Sequence, residues 1–93
     1  MERHHEYQLK NRLDTVKVDG CAYVSTAELR LWYGQKIAKT VYQDLYQRWA
    51  ELFENEAEHL PKLLAVEGRG GWFLFNSSGI FEIGADNWSK VSL

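Results

Sequence analysis

The chain has 93 residues, 45% of them hydrophobic and 14% aromatic, with a formal net charge of −2. That length holds one domain and leaves no room for two cores, and that apolar content excludes an intrinsically disordered chain. A single cysteine, Cys21, excludes an intramolecular disulfide and a multi-cysteine zinc site, and the negative net charge argues against a strong non-specific nucleic-acid binder.

The charge is unevenly placed. Residues 1–48 carry eight Lys/Arg against six Asp/Glu, whereas residues 49–93 carry three against seven. No apolar run approaches the roughly 20 residues that span a bilayer, and the opening MERHHEYQ lacks the apolar core of a signal peptide. The expectation is a soluble cytoplasmic protein with no membrane partner. With four Trp, five Tyr and four Phe, some aromatic rings are expected at the surface, because a core this small cannot hide them all.

Residues 2 to 13 predict a short amphipathic helix: Leu9 and Leu13 stand four apart, Tyr7 is nearby, and Glu6 precedes Lys10 by four positions. In DTVKVDGCAYVS, Val16 and Val18 alternate, Asp19-Gly20 is a two-residue turn signal, and Ala22 and Val24 resume the alternation. This predicts a hairpin over 15–24. Ser25 or Thr26 can cap the next helix, with Glu28 placed after Ser25 as in a capping box, and Gly34 ends it beyond Tyr33.

A longer helix starts near Ile37 or Lys39 and runs to about His59, with Pro61 just beyond. Val41, Leu45, Trp49, Leu52, Glu56 and Leu60 share one stripe, apolar but for Glu56 and widened by Tyr42, Phe53 and Ala57, which faces a core. Thr40, Gln43, Gln47, Glu51, Glu54 and Glu58 occupy the opposite face. After Pro61, Leu63 to Val66 predict a strand, followed by a glycine-rich bend. Residues 72–75 and 80–83 predict a second hairpin around Asn76-Ser77-Ser78-Gly79, and the tail ADNWSKVSL a last strand. The order helix–hairpin–helix–helix–hairpin gives a small single-domain α+β fold over 1–93.

Thr26-Ala27-Glu28-Leu29 opening one helix, Gly34 in the turn, and Thr40-Val41-Tyr42-Gln43-Asp44-Leu45 in the next resemble the helix-turn-helix of bacterial and phage transcription regulators, especially winged forms. The resemblance covers residues 24–49 well and the rest in outline. It implies a winged-helix-like domain, with the helix-turn-helix within 25–59 and a wing at the 72–83 hairpin. Such a helix reads base edges with its N-terminal turns while nearby Lys or Arg hold phosphate. On that reading Thr40, Gln43 and Gln47 contact bases, and Arg30, Lys36 and Lys39 contact phosphate. Gln pairs with adenine and Thr meets the thymine methyl. Glu51, Glu54 and Glu58 begin further along, where a docked helix has left the groove. A homodimer is expected, because one such module binds modestly.

Arg69, in Glu67-Gly68-Arg69-Gly70-Gly71, would reach phosphate or the minor groove from a wing; otherwise it is one solvated Arg on a bend. These glycines lack the Lys-Ser/Thr of a phosphate-binding loop. His4 and His5, beside Glu2 and Glu6, read as a solvated terminus, so no metal site is assigned. His59 suits a helix C-terminus. Cys21 reads as a small buried hydrophobe. No catalytic constellation and no cofactor motif is present, so enzyme activity is not expected.

Trp72, Phe73, Phe75 and Phe81 form an aromatic hairpin apolar on both faces, which points to a covered surface such as a dimer interface. The first functional expectation is a small DNA-binding regulator of the kind carried by bacteria, phages or plasmids. The alternative is a protein-interaction module, antitoxin-like or a phage-encoded inhibitor, that presents the acidic helix or the aromatic hairpin to a protein partner without nucleic acid.

Overall fold

The first helix, α1 (Arg3–Asp19), continues straight through the segment expected to form the first arm of a hairpin. Leu9, Leu13 and Val16 lie on one stripe at helical spacing, and each is fully buried. That burial outweighs the strand preference of two valines, while Val18, off the stripe, is 80% exposed. Gly20 is not a hairpin residue. At φ +99° it forms the left-handed cap of α1 and donates its N–H to the Val16 carbonyl at 3.0 Å.

The computed structural model describes residues 1–35, 38–54 and 60–91, the side chain of Trp88 excepted. After α1 come β1 (Cys21–Ser25), α2 (Thr26–Tyr33), α3 (Ala38–Leu52), β2 (Leu63–Glu67), β3 (Gly71–Asn76), β4 (Phe81–Ile83) and β5 (Trp88–Lys90). Among the described residues these make a small α+β domain of three helices and two small antiparallel sheets. The capping box at α2 forms as expected: Ser25 Oγ accepts from the Glu28 N–H at 3.1 Å, and the Glu28 carboxylate accepts from the Ser25 N–H at 3.0 Å. Gly34 closes α2 at φ +64°, with its N–H on the Arg30 carbonyl.

α3 ends at Leu52, earlier than its sequence suggests; Phe53 and Glu54 donate to Ala50 and Glu51 in a tightened last turn. The expected start at Ile37, and the remainder of the long helix with Glu56, Ala57, Glu58 and His59, lie outside the described residues. Among the described residues no helix is long and apolar enough to cross a membrane.

Both expected hairpins are replaced by other pairings. The main sheet has the order β1-β3-β2, with Val24 opposite Trp72 and Val66 opposite Phe73. β3 is therefore central and paired on both sides, so the expected pairing of β4 with β3 does not form. The chain is turned away by a 3-10 turn at Ser77–Gly79, where Asn76 Oδ1 accepts from the Ser78 N–H and Ser77 is bonded to Lys62. β4 instead pairs with β5, the last strand that the tail suggested.

The hairpin that follows α3 is thus β2–β3, joined by a two-residue turn at Arg69 and Gly70 and closed by the Gly68 N–H on the Gly71 carbonyl at 2.8 Å. Gly71 is required by close approach: a Cβ there would lie 2.2 Å from the Val24 carbonyl oxygen. The Thr26 N–H donates to the Gly70 carbonyl at 2.8 Å, which ties the start of α2 to the hairpin turn.

The core lies between the helices and one face of the main sheet. It comprises Leu9, Leu13, Val16, Val24, Trp32, Tyr33, Val41, Leu45, Trp49 and Leu74. Trp49 sits fully buried, with its indole N–H on the Pro61 carbonyl at 2.8 Å.

Candidate nucleic-acid interface

α3 has three distinct sides, set by its 3.6-residue period. Val41, Leu45 and Trp49 face the core. On one flank Asp44 accepts from the Tyr33 hydroxyl and from Arg48 Nε, each at 2.7 Å, and Arg48 also reaches Glu6 at 3.6 Å. Burial and the neighbouring Asp44 carboxylate both push the Tyr33 hydroxyl far above the usual tyrosine range, so it remains a donor. On the other flank Tyr42 stacks on Trp72, with ring centroids 4.8 Å apart and planes 14° from parallel, and its hydroxyl donates to Glu67. That hydrogen bond, ahead of partial desolvation, pushes Tyr42 up to about 12.

These contacts fix the orientation of α3. At about 100° per residue, the direction opposite the core falls between Gln43 and Gln47. Lys39, Thr40, Gln43 and Gln47 are all exposed. Tyr46 is 61% exposed and borders this pole on the side of the β2–β3 hairpin. Tyr42, Gln43, Tyr46, Gln47 and Ala50 together line a shallow, open surface depression.

Arg69 is exposed at the hairpin turn, and Arg30 is exposed on α2. Lys36 lies outside the described residues. Arg12, Lys17 and Arg48 are held within the fold: Arg12 on Glu28 at 2.6 Å, Lys17 on the Leu52 carbonyl at 2.8 Å, and Arg48 on Asp44. Arg30, Lys39 and Arg69 make no ion pair or side-chain hydrogen bond among the described residues, and the same holds for Arg3, Lys10, Lys62 and Lys90 elsewhere.

The four aromatic residues assigned to one interface do not share a face. Trp72 points toward the helices and is half-buried beneath Tyr42. Phe73 and Phe75 lie on the outer face of the main sheet, and Phe81 belongs to the second sheet. By strand alternation the outer face also carries Cys21, Tyr23, Leu64 and Val66. Cys21 is exposed there rather than buried. At the N-terminus Glu2, His4 and His5 bring ligand atoms within 4.8 Å of one another, with His4 Nδ1 3.4 Å from Glu2. Glu2, the residue before α1, and His4 are exposed, whereas His5 is partly buried.

Sequence reasoning missed Tyr46 and the Tyr42–Glu67 link. The signal was the Tyr42/Tyr46 pair four apart at the edge of the apolar stripe, which reads as a widened core face. No family model matches the chain, and neither a curated protein nor a solved structure does.

Proposed function

We propose that this domain binds duplex DNA as a small transcriptional regulator of winged-helix type. α3 enters the major groove, and the β2–β3 hairpin acts as the wing. The observation that supports this best is the joint placement of α3 and the hairpin. The helix presents an uncharged hydrogen-bonding pole at Gln43 and Gln47, and the Tyr42 stack on Trp72 fixes the hairpin beside it. A helix-turn-helix followed by a two-stranded hairpin along its second helix is the arrangement that the winged resemblance implies. On this reading the wing is β2–β3 with Arg69 in its turn, not the 72–83 segment. Thr40, Gln43 and Gln47 face base edges, and Arg30, Lys36, Lys39 and Arg69 serve phosphates. Glu51, exposed at the far end of α3, keeps that end out of the groove.

The test is fluorescence anisotropy against a mixed pool of genomic duplexes at low and near-physiological salt. Binding that weakens steeply with salt and keeps a selected subset supports the reading. Gln43→Ala then weakens the selected site more than random DNA, and Lys39→Ala weakens both alike. No binding at low salt overturns it in favour of a protein-interaction module.

One further observation supports self-association. The outer face of the main sheet carries no charged side chain at Cys21, Tyr23, Leu64, Val66, Phe73 or Phe75, and Tyr23, Val66 and Phe73 are 41%, 55% and 47% exposed. This face lies opposite the helices, so a second copy seated there leaves the outward pole of α3 open.

A further inference from the structure

We propose, on the DNA-binding reading above, that the site read by α3 contains two A·T pairs about two base steps apart, one adenine held by Gln43 and the other by Gln47, while Tyr46 contacts a phosphate of the strand that borders α3 on its hairpin side.

The residue types at the pole carry the base assignment. A glutamine amide offers one donor and one acceptor side by side, which matches the N7 acceptor and N6 amino donor of adenine in the major groove. The usual reader of guanine is Arg or Lys; Lys39, one turn before Gln43, lies off the pole on the Tyr46 side and serves phosphate on this reading, which leaves the pole itself to the two glutamines. The usual readers of cytosine are Asp and Glu. Asp44 is turned to the flank and engaged by Tyr33 and Arg48, and Glu51, one turn beyond Gln47, lies at the end of α3 that this reading keeps out of the groove.

The spacing carries the geometry. Residues four apart on a helix are separated by about 6 Å along its axis, against about 3.4 Å per base step. Gln43 and Gln47 therefore meet base pairs about two steps apart when α3 lies along the groove.

Tyr46 completes the site from its position. Tyr42, one turn earlier on the same flank, is held against Trp72 and Glu67 and is turned to the hairpin. Tyr46 is 61% exposed, makes no hydrogen bond among the described residues, and points outward on the hairpin side of α3 between Tyr42 and Trp49, both of which are tied to the hairpin region. A tyrosine hydroxyl there is a donor for a phosphate oxygen, a contact that positions the duplex without reading it.

The experiment is selection from a randomised duplex library by the intact chain, followed by anisotropy on the enriched sequence. The expected enrichment is two A·T pairs with one pair between them. Replacing either adenine by 7-deazaadenine, which removes the N7 acceptor, lowers affinity by roughly 5- to 150-fold. Gln43→Ala abolishes the preference at one of the two positions and Gln47→Ala at the other. Tyr46→Phe lowers affinity severalfold for the selected and random duplexes alike, with the preference intact. All three positions are exposed, so unchanged melting temperatures confirm that the variants fold. Salt-sensitive duplex binding whose preference is for G·C at the glutamine-dependent positions, or is unmoved by both glutamine variants, overturns the A·T assignment and leaves the DNA reading standing. Unchanged affinity in Tyr46→Phe overturns the phosphate contact. Failure to bind any duplex at low salt overturns the DNA reading itself.

Discussion

The Tyr42 hydroxyl donates to the Glu67 carboxylate, and the Tyr42 ring lies flat on Trp72, so the exposed flank of α3 is joined to the β2–β3 hairpin by two contacts from one side chain. Tyr42→Phe keeps the stack and removes the hydrogen bond. Because the pair is solvent-accessible, the expected loss of stability is only about 0.5 kcal/mol. The larger expected effect is local: faster amide hydrogen exchange at residues 67–72, with the rest of the sheet unchanged. The pH dependence has a definite sign. Tyr42 is raised from 10.0 to about 12, so its contribution is complete below pH 10 and disappears as pH climbs from 10 to 12. Exchange at 67–72 that is the same in both proteins would show that the hairpin is held by the stack alone.

Glu28 predicts the opposite limb of the pH profile. Its carboxylate is bound by Arg12, which also lies over the Trp32 ring and donates to the Tyr23 carbonyl, and it accepts from the Ser25 N–H as part of the α2 cap. Arg12, ahead of the opposing effect of burial, lowers Glu28 from 4.5 to about 2. The stabilisation is therefore complete above about pH 4.5 and is lost as pH falls from there toward 2. Glu28→Gln is expected to cost about 1 kcal/mol at pH 7 and to flatten this limb. Urea midpoints at pH 7 and pH 3 for both proteins decide it; a wild-type midpoint that falls no further than the variant's counts against the assignment.

What the sequence shows of this fold follows the range of the forces involved. The capping box at Ser25 and Glu28 and the stop at Gly34 are local, and they form where the residues place them. The Val41, Leu45 and Trp49 stripe is likewise a property of one helix. Strand pairing is not local. Val16 and Val18 alternate as a strand would, but Val16 is taken by the stripe of Leu9 and Leu13, and the partner of β1 is β3, far along the chain. Asp19-Gly20 suits a hairpin turn and a helix cap equally, because both use the left-handed freedom of glycine. At the candidate site, Lys39, Thr40, Gln43 and Gln47 are legible from helical period. The Tyr42–Glu67 link joins two elements whose packing no periodicity reports.

Trp49 ties α3 to the core and to the segment that leads into β2. It is fully buried, its ring meets Phe53 edge-on at 4.8 Å, and its indole N–H satisfies the Pro61 carbonyl. Trp49→Ala removes the largest fully buried side chain among the described residues and is expected to cost about 3–5 kcal/mol, a large part of the stability of a domain this size. Trp49→Phe keeps most of the volume but leaves the Pro61 carbonyl without its donor, for about 1–3 kcal/mol. Equal losses on chemical denaturation in the two variants, both of which lack the indole N–H, would place the value of Trp49 in its hydrogen bond rather than its bulk.

The outer sheet face gives a prediction that separates self-association from stability. Tyr23 and Phe73 pair across β1 and β3 with ring centroids 4.9 Å apart, and both remain substantially exposed. A charge introduced at Phe73 disturbs little of the core, because the side chain lies on the face away from the helices. It would, however, bury an unpaired carboxylate in any interface formed on that face, at a cost of several kcal/mol. Phe73→Glu is therefore expected to shift the chain to monomer in sedimentation equilibrium while its melting temperature falls by only a few degrees. The wild-type chain, by contrast, is expected to self-associate in the micromolar range. A wild-type chain that stays monomeric at high micromolar concentration removes the dimer, and DNA binding by α3 would then have to proceed from a single module with a correspondingly short site.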